Sequence, residues 1–202
     1  MKLNLGERFI VNNPLRAFIQ RRIEGPMLKR MAGLEGYPLC LEIGCGRGVG
    51  AEIIVEQFGA QSVVATDVDT EQIERAKKKL KSKFKDKIKF RIADAMALDE
   101  PDNKFDAVFS FGVIHHMEDW RKAVKEISRV LKSGGEFFFE EPLREFTSIF
   151  TKGSMLSIIA THPTGGMFSF DEFKDELRKN NVDIINIKHF GNIAIFGVGR
   201  KR

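Results

Sequence analysis

Short apolar runs recur along the middle of the chain, and segments with apolar residues at helical spacing lie between most of them. The runs occupy residues 38–43, 61–66, 87–92, 105–111 and 136–141. Alternation of this kind, with short connections, predicts a mostly parallel sheet covered by helices on both faces. In such sheets ligands bind at the carboxyl ends of the strands. The residues at those ends are Glu42, Asp67, Asp94, Ser110 and Glu141.

The first 36 residues predict a helical cap on this sheet. Asn13 is a suitable N-cap residue, and Pro14 suits the first helical position. Four apolar residues follow at helical spacing: Leu15, Phe18, Ile19 and Ile23. We expect an amphipathic helix that ends at Gly25-Pro26. It could pack on the domain, cover a substrate as a lid or dock on a surface.

The pattern also changes after residue 142. Residues 143–169 contain apolar side chains without a clear period. A helix is predicted from Ser169 or Asp171 to about Lys179. Two strands complete the chain: 183–190 and 193–199. The tight link at Gly191-Asn192 predicts that they form an antiparallel hairpin.

The net charge of +5 is concentrated at the two ends of the chain. Residues 1–36 carry +4 and the tail Arg200-Lys201-Arg202 carries +3, so the remainder carries about −2. The basic ends could serve RNA, an anionic membrane surface or solubility. No apolar run approaches the roughly 18 residues of a spanning helix, and no signal-peptide pattern is visible, so we expect a cytoplasmic protein. Cys40 and Cys45 are expected to be reduced packing residues.

The chemistry of the sequence centres on LEIGCGRGVG, residues 41–50. Glycines at this spacing after a strand let the backbone turn, approach a ligand closely and begin a helix. The stretch from Gly46 to Ala51 also fits a lenient dinucleotide pattern. Glu42 argues against a dinucleotide, because a carboxylate would repel a pyrophosphate and attract an amino acid's ammonium. Asp67, about twenty residues beyond the loop, could accept both hydroxyls of a ribose.

Five motifs in this order resemble the class I S-adenosylmethionine-dependent methyltransferases. They are EIGCGRG from Glu42, Asp67 before the second helix, Asp94-Ala95, FDAVFSFGVIHHMEDW and LKSGGEFFFEEP. The resemblance covers residues 36–142 and is greatest to the branch of small-molecule enzymes that includes ubiquinone and menaquinone biosynthesis. It implies an α/β fold, a Rossmann-like three-layer αβα sandwich. Its sheet would be mostly parallel and seven-stranded, with a C-terminal antiparallel hairpin.

The resemblance also implies S-adenosyl-L-methionine as cofactor. The glycine loop would surround the methionine part, Asp67 would hold the ribose hydroxyls, and Val68 would flank the adenine. Asp94 would contact the adenine amine with Ala95 beside it, and Ser110 would lie near the methyl group. The expected cofactor-binding residues are Glu42, Gly44, Cys45, Gly46, Gly48, Asp67, Val68, Asp94, Ala95 and Ser110.

We expect one methyltransferase domain, residues 1–202, with four parts. They are a helical N-terminal cap at 1–35, a cofactor-binding core at 36–142, a substrate-cap insertion at 143–169, and a C-terminal helix and hairpin at 170–202. The cap and insertion are rich in Phe, Met and Ile, which either enclose an apolar acceptor or form the core of the cap itself.

Methyl transfer is an in-line displacement at a sulfonium carbon, so the protein chiefly aligns acceptor and methyl group. A general base is needed only if the acceptor loses a proton. The candidates are His115, His116, Glu141 and His162, of which we assign His115 and Glu141 as catalytic residues. The two adjacent histidines could instead only shape their loop. A metal site built from His115, His116, Glu118 and Asp119 is a further reading, and we assign no metal.

The leading hypothesis is therefore a methyltransferase for a small, apolar or lipid-like acceptor. The alternatives are an RNA or protein methyltransferase guided by the basic ends, a non-catalytic S-adenosylmethionine-binding module, and an NAD-type oxidoreductase. Nucleic acid is not favoured as a partner, whereas peripheral membrane contact is compatible with the basic ends. The sequence does not specify the acceptor atom or the oligomeric state.

Overall fold

The computed structural model describes residues 13–145 and 167–202, and a seven-stranded sheet lies at its centre. The strands are β1 (Leu39–Ile43), β2 (Ser62–Asp67), β3 (Ile88–Ile92), β4 (Phe105–Phe111), β5 (Leu131–Pro142), β6 (Val182–Phe190) and β7 (Ala194–Lys201). Their order is β3-β2-β1-β4-β5-β7-β6. The first five strands are parallel, and β7 is antiparallel to both of its neighbours. This confirms the predicted fold class, including the terminal hairpin.

Helices cover both faces of the sheet. They are α1 (Pro14–Ile19), α2 (Gly25–Met31), α3 (Val49–Glu56), α4 (Thr70–Phe84), α5 (Trp120–Val130) and α6 (Phe170–Lys179). One apolar cluster joins the sheet to α5 and α6 around Trp120 and Phe173. The other joins the opposite face to α2, α3 and α4 around Leu28 and Phe138. We call these the α5 face and the cap face of the sheet.

Side-chain caps explain where several helices begin. Asn13 accepts a first-turn N–H at 2.9 Å, as predicted, and Asp69 caps α4 in the same way. Ser169 and Glu172 form a capping box at α6. Asp119 precedes α5 and makes no side-chain cap bond.

The first helical segment does not end at Gly25-Pro26. A π-helical turn, Gln20–Glu24, joins α1 directly to α2, and Gly25 keeps right-handed helical angles. Pro26 has no N–H to donate to the preceding turn, and it follows the π turn directly. The predicted break is therefore wrong, because the register change at the π turn lets the chain accommodate the proline.

The apolar side chains of the first helical segment point away from the domain. Leu15, Phe18 and Ile23 are 63%, 57% and 55% exposed, whereas Gln20 and Glu24 are buried against the domain. A π turn holds one residue more than an α turn, so it rotates the helix face. The polar row thereby turns inward, and of the three alternatives for this helix the structure does not support packing on the domain by the apolar face.

The α5 helix passes directly into β5. The helix ends at Val130, and β5 already begins at Leu131, which pairs with Phe105. Ser133-Gly134-Gly135 therefore lies within an irregular start of β5. Gly134 has φ of 77°, a conformation that glycine adopts without strain.

A buried carboxylate fastens the end of the cap to the C-terminal strand. Glu136 accepts hydrogen bonds from the Tyr37 hydroxyl, the Gly33 N–H and the Arg200 guanidinium. Tyr37 is 1% exposed and packs where the cap meets the core. Among the described residues no helix is long and apolar enough to cross a membrane.

Candidate active site

A pocket opens where the carboxyl ends of β1, β2, β3 and β4 meet. The strand order reverses direction between β1 and β4, which is where ligands bind in open parallel sheets. Six of the expected cofactor-binding residues line this pocket: Gly44, Gly46, Asp67, Val68, Asp94 and Ala95. The topology therefore brings together residues that lie up to about fifty positions apart in the chain.

The glycine loop shapes one wall of the pocket. Gly46 has φ of 50°, and a Cβ built on it would meet no atom within 4 Å, so its surface stays open toward a ligand. Gly48 has φ of 79° and begins α3, but a Cβ there would lie 2.7 Å from Leu80. Gly48 thus permits close packing of α3 on α4 and does not line the pocket.

Asp67 is the anchor of this loop. Its Oδ2 accepts the Gly46 N–H and its Oδ1 accepts the Asp69 N–H, both at 2.9 Å. Burial raises the pKa of this carboxyl, and the two N–H bonds oppose that shift. Each carboxylate oxygen can accept more than one hydrogen bond, so Asp67 can hold the loop and still receive hydroxyl donors from the pocket.

Asp94 and Ala95 form the opposite wall at the end of β3. The Asp94 side chain is exposed and accepts the Met96 N–H at 2.9 Å, which fixes a tight turn. The preceding Ala93 N–H donates to the Asp67 carbonyl at 3.1 Å. The two acidic strand ends are thereby held side by side.

Glu42 lies behind the glycine loop and outside the lining of this pocket. It is 2% exposed, and a Cβ added to Gly50 would come within 1.9 Å of its Oε1. Burial, with the nearby charge of Asp67, raises its pKa to about 8, against a bond from the Ala51 N–H. Its Oε2 has no hydrogen-bond partner among the described residues. A ligand ammonium is the kind of group that would satisfy this buried oxygen.

Two other expected cofactor residues also lie outside the pocket lining. Ser110 is buried and donates its hydroxyl to Glu141 Oε1 at 2.7 Å. Cys45 is buried in the loop, and its N–H donates to the Thr66 carbonyl at 2.8 Å. The Ser110 side chain and the Cys45 backbone thus support residues beside the pocket.

A dense hydrogen-bond network surrounds Glu141 on the α5 face. Its side chain is fully buried, and Oε1 accepts the Ser110 hydroxyl and the Ile114 N–H. Oε2 lies 2.8 Å from His115 Nδ1 and also accepts the His115 N–H at 3.3 Å. A carboxylate so occupied is unsuited to take a proton from an acceptor, but it fixes the orientation of the imidazole.

The sequence interpretation missed other residues of the pocket lining. They are Asp69, Gln72, Ala93, Met96, Phe111, Gly112, Val113 and Met117. His116, one of the base candidates, also lines the pocket, whereas the lining does not include His115. Most follow β3 or β4 directly, so their position just beyond a strand end was an available signal.

Some sequence candidates are not brought into the site. His162 and most of the 143–169 insertion lie outside the described residues. Within residues 13–145 and 167–202, no group of three or more His, Cys, Asp or Glu side chains could hold a metal ion. The alternative of a metal site built from His115, His116, Glu118 and Asp119 therefore has no geometric support in that part of the chain.

The sequence is similar to a known protein family and to characterised enzymes. Residues 41–139 match the family model described as a methyltransferase domain. The chain is 37% identical over 112 residues to 27-O-demethylrifamycin SV methyltransferase of Amycolatopsis mediterranei, covering 52% of this chain and 40% of that protein. It is 34% identical over 122 residues to 2-methyl-6-phytyl-1,4-hydroquinone methyltransferase of Synechocystis, covering 58% and 37%. The chain thus matches less than half the length of these relatives.

A solved structure shows a similar fold over almost the whole chain. It is the PH0226 protein from Pyrococcus horikoshii, with a TM-score of 0.77 and 20% sequence identity. The alignment covers 95% of this chain and 93% of that one. At this identity the similarity concerns the fold, and it extends to the regions outside residues 41–139.

Proposed function

This chain belongs to the class I S-adenosylmethionine-dependent methyltransferases, and from this membership we propose that it methylates a small, apolar or lipid-like acceptor. The observation that carries the proposal is the meeting of Gly46, Asp67 and Asp94 in one pocket. When bound, the cofactor supplies an activated methyl group on a sulfonium sulfur. The protein's own contribution is to align the acceptor with that group.

The donor set of the pocket is suited to an amino-acid-bearing nucleoside. We propose that Asp67 accepts the ribose hydroxyls and that Asp94 accepts from the adenine amine, beside Ala95 and Val68. The buried Oε2 of Glu42 would receive the ammonium of the methionine part, directly or through water. A pyrophosphate offers no donor for this oxygen, which favours S-adenosylmethionine over a dinucleotide.

His115 is the residue we propose as a general base, with Glu141 as its positioning residue. Glu141 faces Nδ1 of the ring, so the Nδ1–H tautomer is favoured and Nε2 becomes the proton acceptor. This division of roles revises the assignment of Glu141 as a catalytic residue in its own right. A base at this point suits an acceptor whose hydroxyl or amine must lose a proton.

The pocket beyond the glycine loop is apolar. Phe111, Val113 and Met117 line it next to Gly112. The relatives are named for a rifamycin and a phytyl hydroquinone, and acceptors with comparable apolar bodies suit this lining. The basic tail offers less to RNA than its charge indicates, because Arg200 pairs with Glu136 and Lys201 donates to two backbone carbonyls.

Calorimetry with S-adenosylhomocysteine and with NAD tests the cofactor. We expect S-adenosylhomocysteine to bind, and Asp67→Ala to weaken it by about 1–3 kcal/mol through lost ribose hydrogen bonds. Asp99→Ala, at an exposed position outside the pocket, is the matched control. Preferential NAD binding would overturn the function, and an unchanged affinity of Asp67→Ala would overturn the ribose assignment.

Turnover tests the base and the acceptor. With a panel of hydroquinones, phenols and polyketide alcohols, we expect S-adenosylhomocysteine to form, and His115→Gln to lower kcat about 10²–10⁴-fold with cofactor affinity retained. His189→Gln, on the exposed part of β6, is the control. Cofactor binding without turnover on any acceptor would favour the non-catalytic module, and an unchanged kcat would remove His115 as base.

A further inference from the structure

The side of the first helical segment that faces away from the domain carries large apolar side chains. Leu15, Phe18 and Ile23 project outward and are each more than half exposed. No residue of α1 itself is buried. Clusters of large exposed apolar side chains typically mark a surface that binds something. We call Leu15, Phe18, Arg22 and Ile23 the outer face of the cap.

The charge of the same segment is strongly one-sided. From Pro14 to Met31 there are five basic residues and a single acidic residue, Glu24. The basic residues are Arg16, Arg21, Arg22, Lys29 and Arg30. Glu24 is buried against the domain, whereas Arg22 is exposed among the apolar side chains. Arg16 and Arg21 pair with Glu140 and Glu52, so the positive charge on the outer side is that of Arg22. The surface offered to a partner is therefore apolar and positive.

The helix is held to the domain by its polar row rather than by apolar packing. Arg16 forms ion pairs with Glu24 and with Glu140, the latter at 2.7 Å. The Glu140 carbonyl accepts the Gly112 N–H at 2.7 Å, and Gly112 lines the pocket. The inner row of α1 is consequently attached close to the edge of the candidate active site, with the outer face of the cap on the other side of the helix.

We propose that the outer face of the cap docks the protein on an anionic lipid surface. Helices with apolar side chains and basic residues together bind in the interface of such membranes. A second copy of this chain would place positive charge against positive charge, which opposes that occupant. RNA gains little from three large aliphatic and aromatic side chains on a helix. An apolar acceptor dissolved in the membrane would then lie near the pocket; that consequence, unlike the docking, rests on the proposed function.

Vesicle sedimentation of the full chain tests the docking. We expect binding to equimolar phosphatidylglycerol and phosphatidylcholine vesicles at low salt, and weaker binding to pure phosphatidylcholine. The triple variant Leu15→Gln, Phe18→Gln, Ile23→Gln should lose about tenfold or more of the partitioning. Ile185→Gln, an exposed apolar residue of β6, should bind as the parent does. Absence of binding, or equal binding by the triple variant, would overturn the proposal.

A fluorescent variant gives a second measurement that does not depend on removing the apolar face. In Phe18→Trp the fluorescence emission of the new indole should shift to the blue in the presence of the anionic vesicles. Brominated lipids in those vesicles should quench that emission. The parent protein is the control, because its single Trp120 is only 2% exposed. An unquenched signal from the new indole, or a concentration-dependent dimer lost in the triple variant, would overturn lipid docking. Neither measurement requires methyl transfer, so either proposal can fail alone.

Discussion

The carboxyl edge of the sheet holds buried glutamates differently on its two faces. On the α5 face, Glu141 accepts hydrogen bonds from Ser110 and from backbone N–H groups and faces His115. On the cap face, Glu42 and Glu140 are also buried, yet each has a carboxylate oxygen without a hydrogen-bond partner among the described residues. On the α5 face the buried carboxylate has hydrogen-bond donors for both oxygens. On the cap face the buried carboxylates have fewer donors than oxygens.

This difference has a consequence for how each face responds to its surroundings. Burial raises the pKa of Glu42 to about 8, and that of Glu140 to about 8 against the opposing charge of Arg16. A carboxylate with several N–H donors keeps a fixed orientation. An acid that lacks donors gains or loses a proton, or takes up a cation. We therefore expect the α5 face to set geometry and the cap face to respond to pH and ligand.

The largest expected effect comes from removing the complete network. Glu141→Ala leaves the Ser110 hydroxyl and several N–H groups buried without an acceptor, so the free energy of unfolding should fall by about 3–5 kcal/mol. Glu140→Ala, the neighbouring residue on the other face, should cost less than half as much. Urea unfolding measures both. Equal losses would show that the two faces do not differ as described.

The next largest expected effect is a pH dependence of stability caused by Glu42 on the cap face. Its folded-state pKa of about 8 lies above the ordinary value of 4.5, so its stabilisation is complete below pH 4.5 and is lost as the pH rises to 8. The free energy of unfolding of Glu42→Gln, taken relative to that of the parent, should therefore rise by about 2–4 kcal/mol between pH 5 and pH 8. Urea unfolding measures this difference.

Glu52 supplies a control of opposite sign for that titration. Burial works against its ionisation, but hydrogen bonds from Arg21 and Lys83 prevail and lower its pKa. Its stabilisation is present above the ordinary carboxyl pKa and is lost as the pH falls, so Glu52→Gln should lose relative stability toward neutral pH. Parallel pH profiles for the parent and Glu42→Gln would contradict the assignment of Glu42.

The smallest expected effect lies in the ionic contact between cap and sheet. Arg16→Met leaves Glu24 and Glu140 facing each other, and we expect a loss of about 1–2 kcal/mol at neutral pH, because the partly exposed guanidinium is screened by water. A double-mutant cycle with Glu140→Gln measures the coupling by urea unfolding. Strictly additive effects would show that the contact does not hold α1.

Much of the cofactor half of the site could be predicted because its signals are local. Asp67 and Asp94 each end a strand, and in parallel sheets those ends share one edge. Gly46 carries the backbone freedom that the loop needs. Ser110 could be placed at a strand end, but the side to which its hydroxyl points depends on strand register. That register directs it to Glu141 and away from the pocket lining.

The region after β4 shows the opposite case. Val113 and Met117 line the pocket, but no apolar period distinguishes them from core residues in the sequence. Glu141 was visible as a strand-end acid, yet its role depends on which donors converge on it. A residue of β5 meets the turn at Ile114–His116 only once β4 and β5 are paired. Such convergence is a property of the packed chain.

The sequence by itself determined the order of strands and helices, the parallel sheet, the terminal hairpin and the residues at the strand ends. These follow from periodicity, caps and glycine positions, which act over a few residues. Only the tertiary structure decided that α1 turns Leu15, Phe18 and Ile23 outward, and that Glu42 lies behind its loop. A helix shows two faces in its sequence, but which face is buried depends on the partner. Here buried Glu140 draws Arg16 inward, and the π turn keeps Gln20 and Glu24 in line with it.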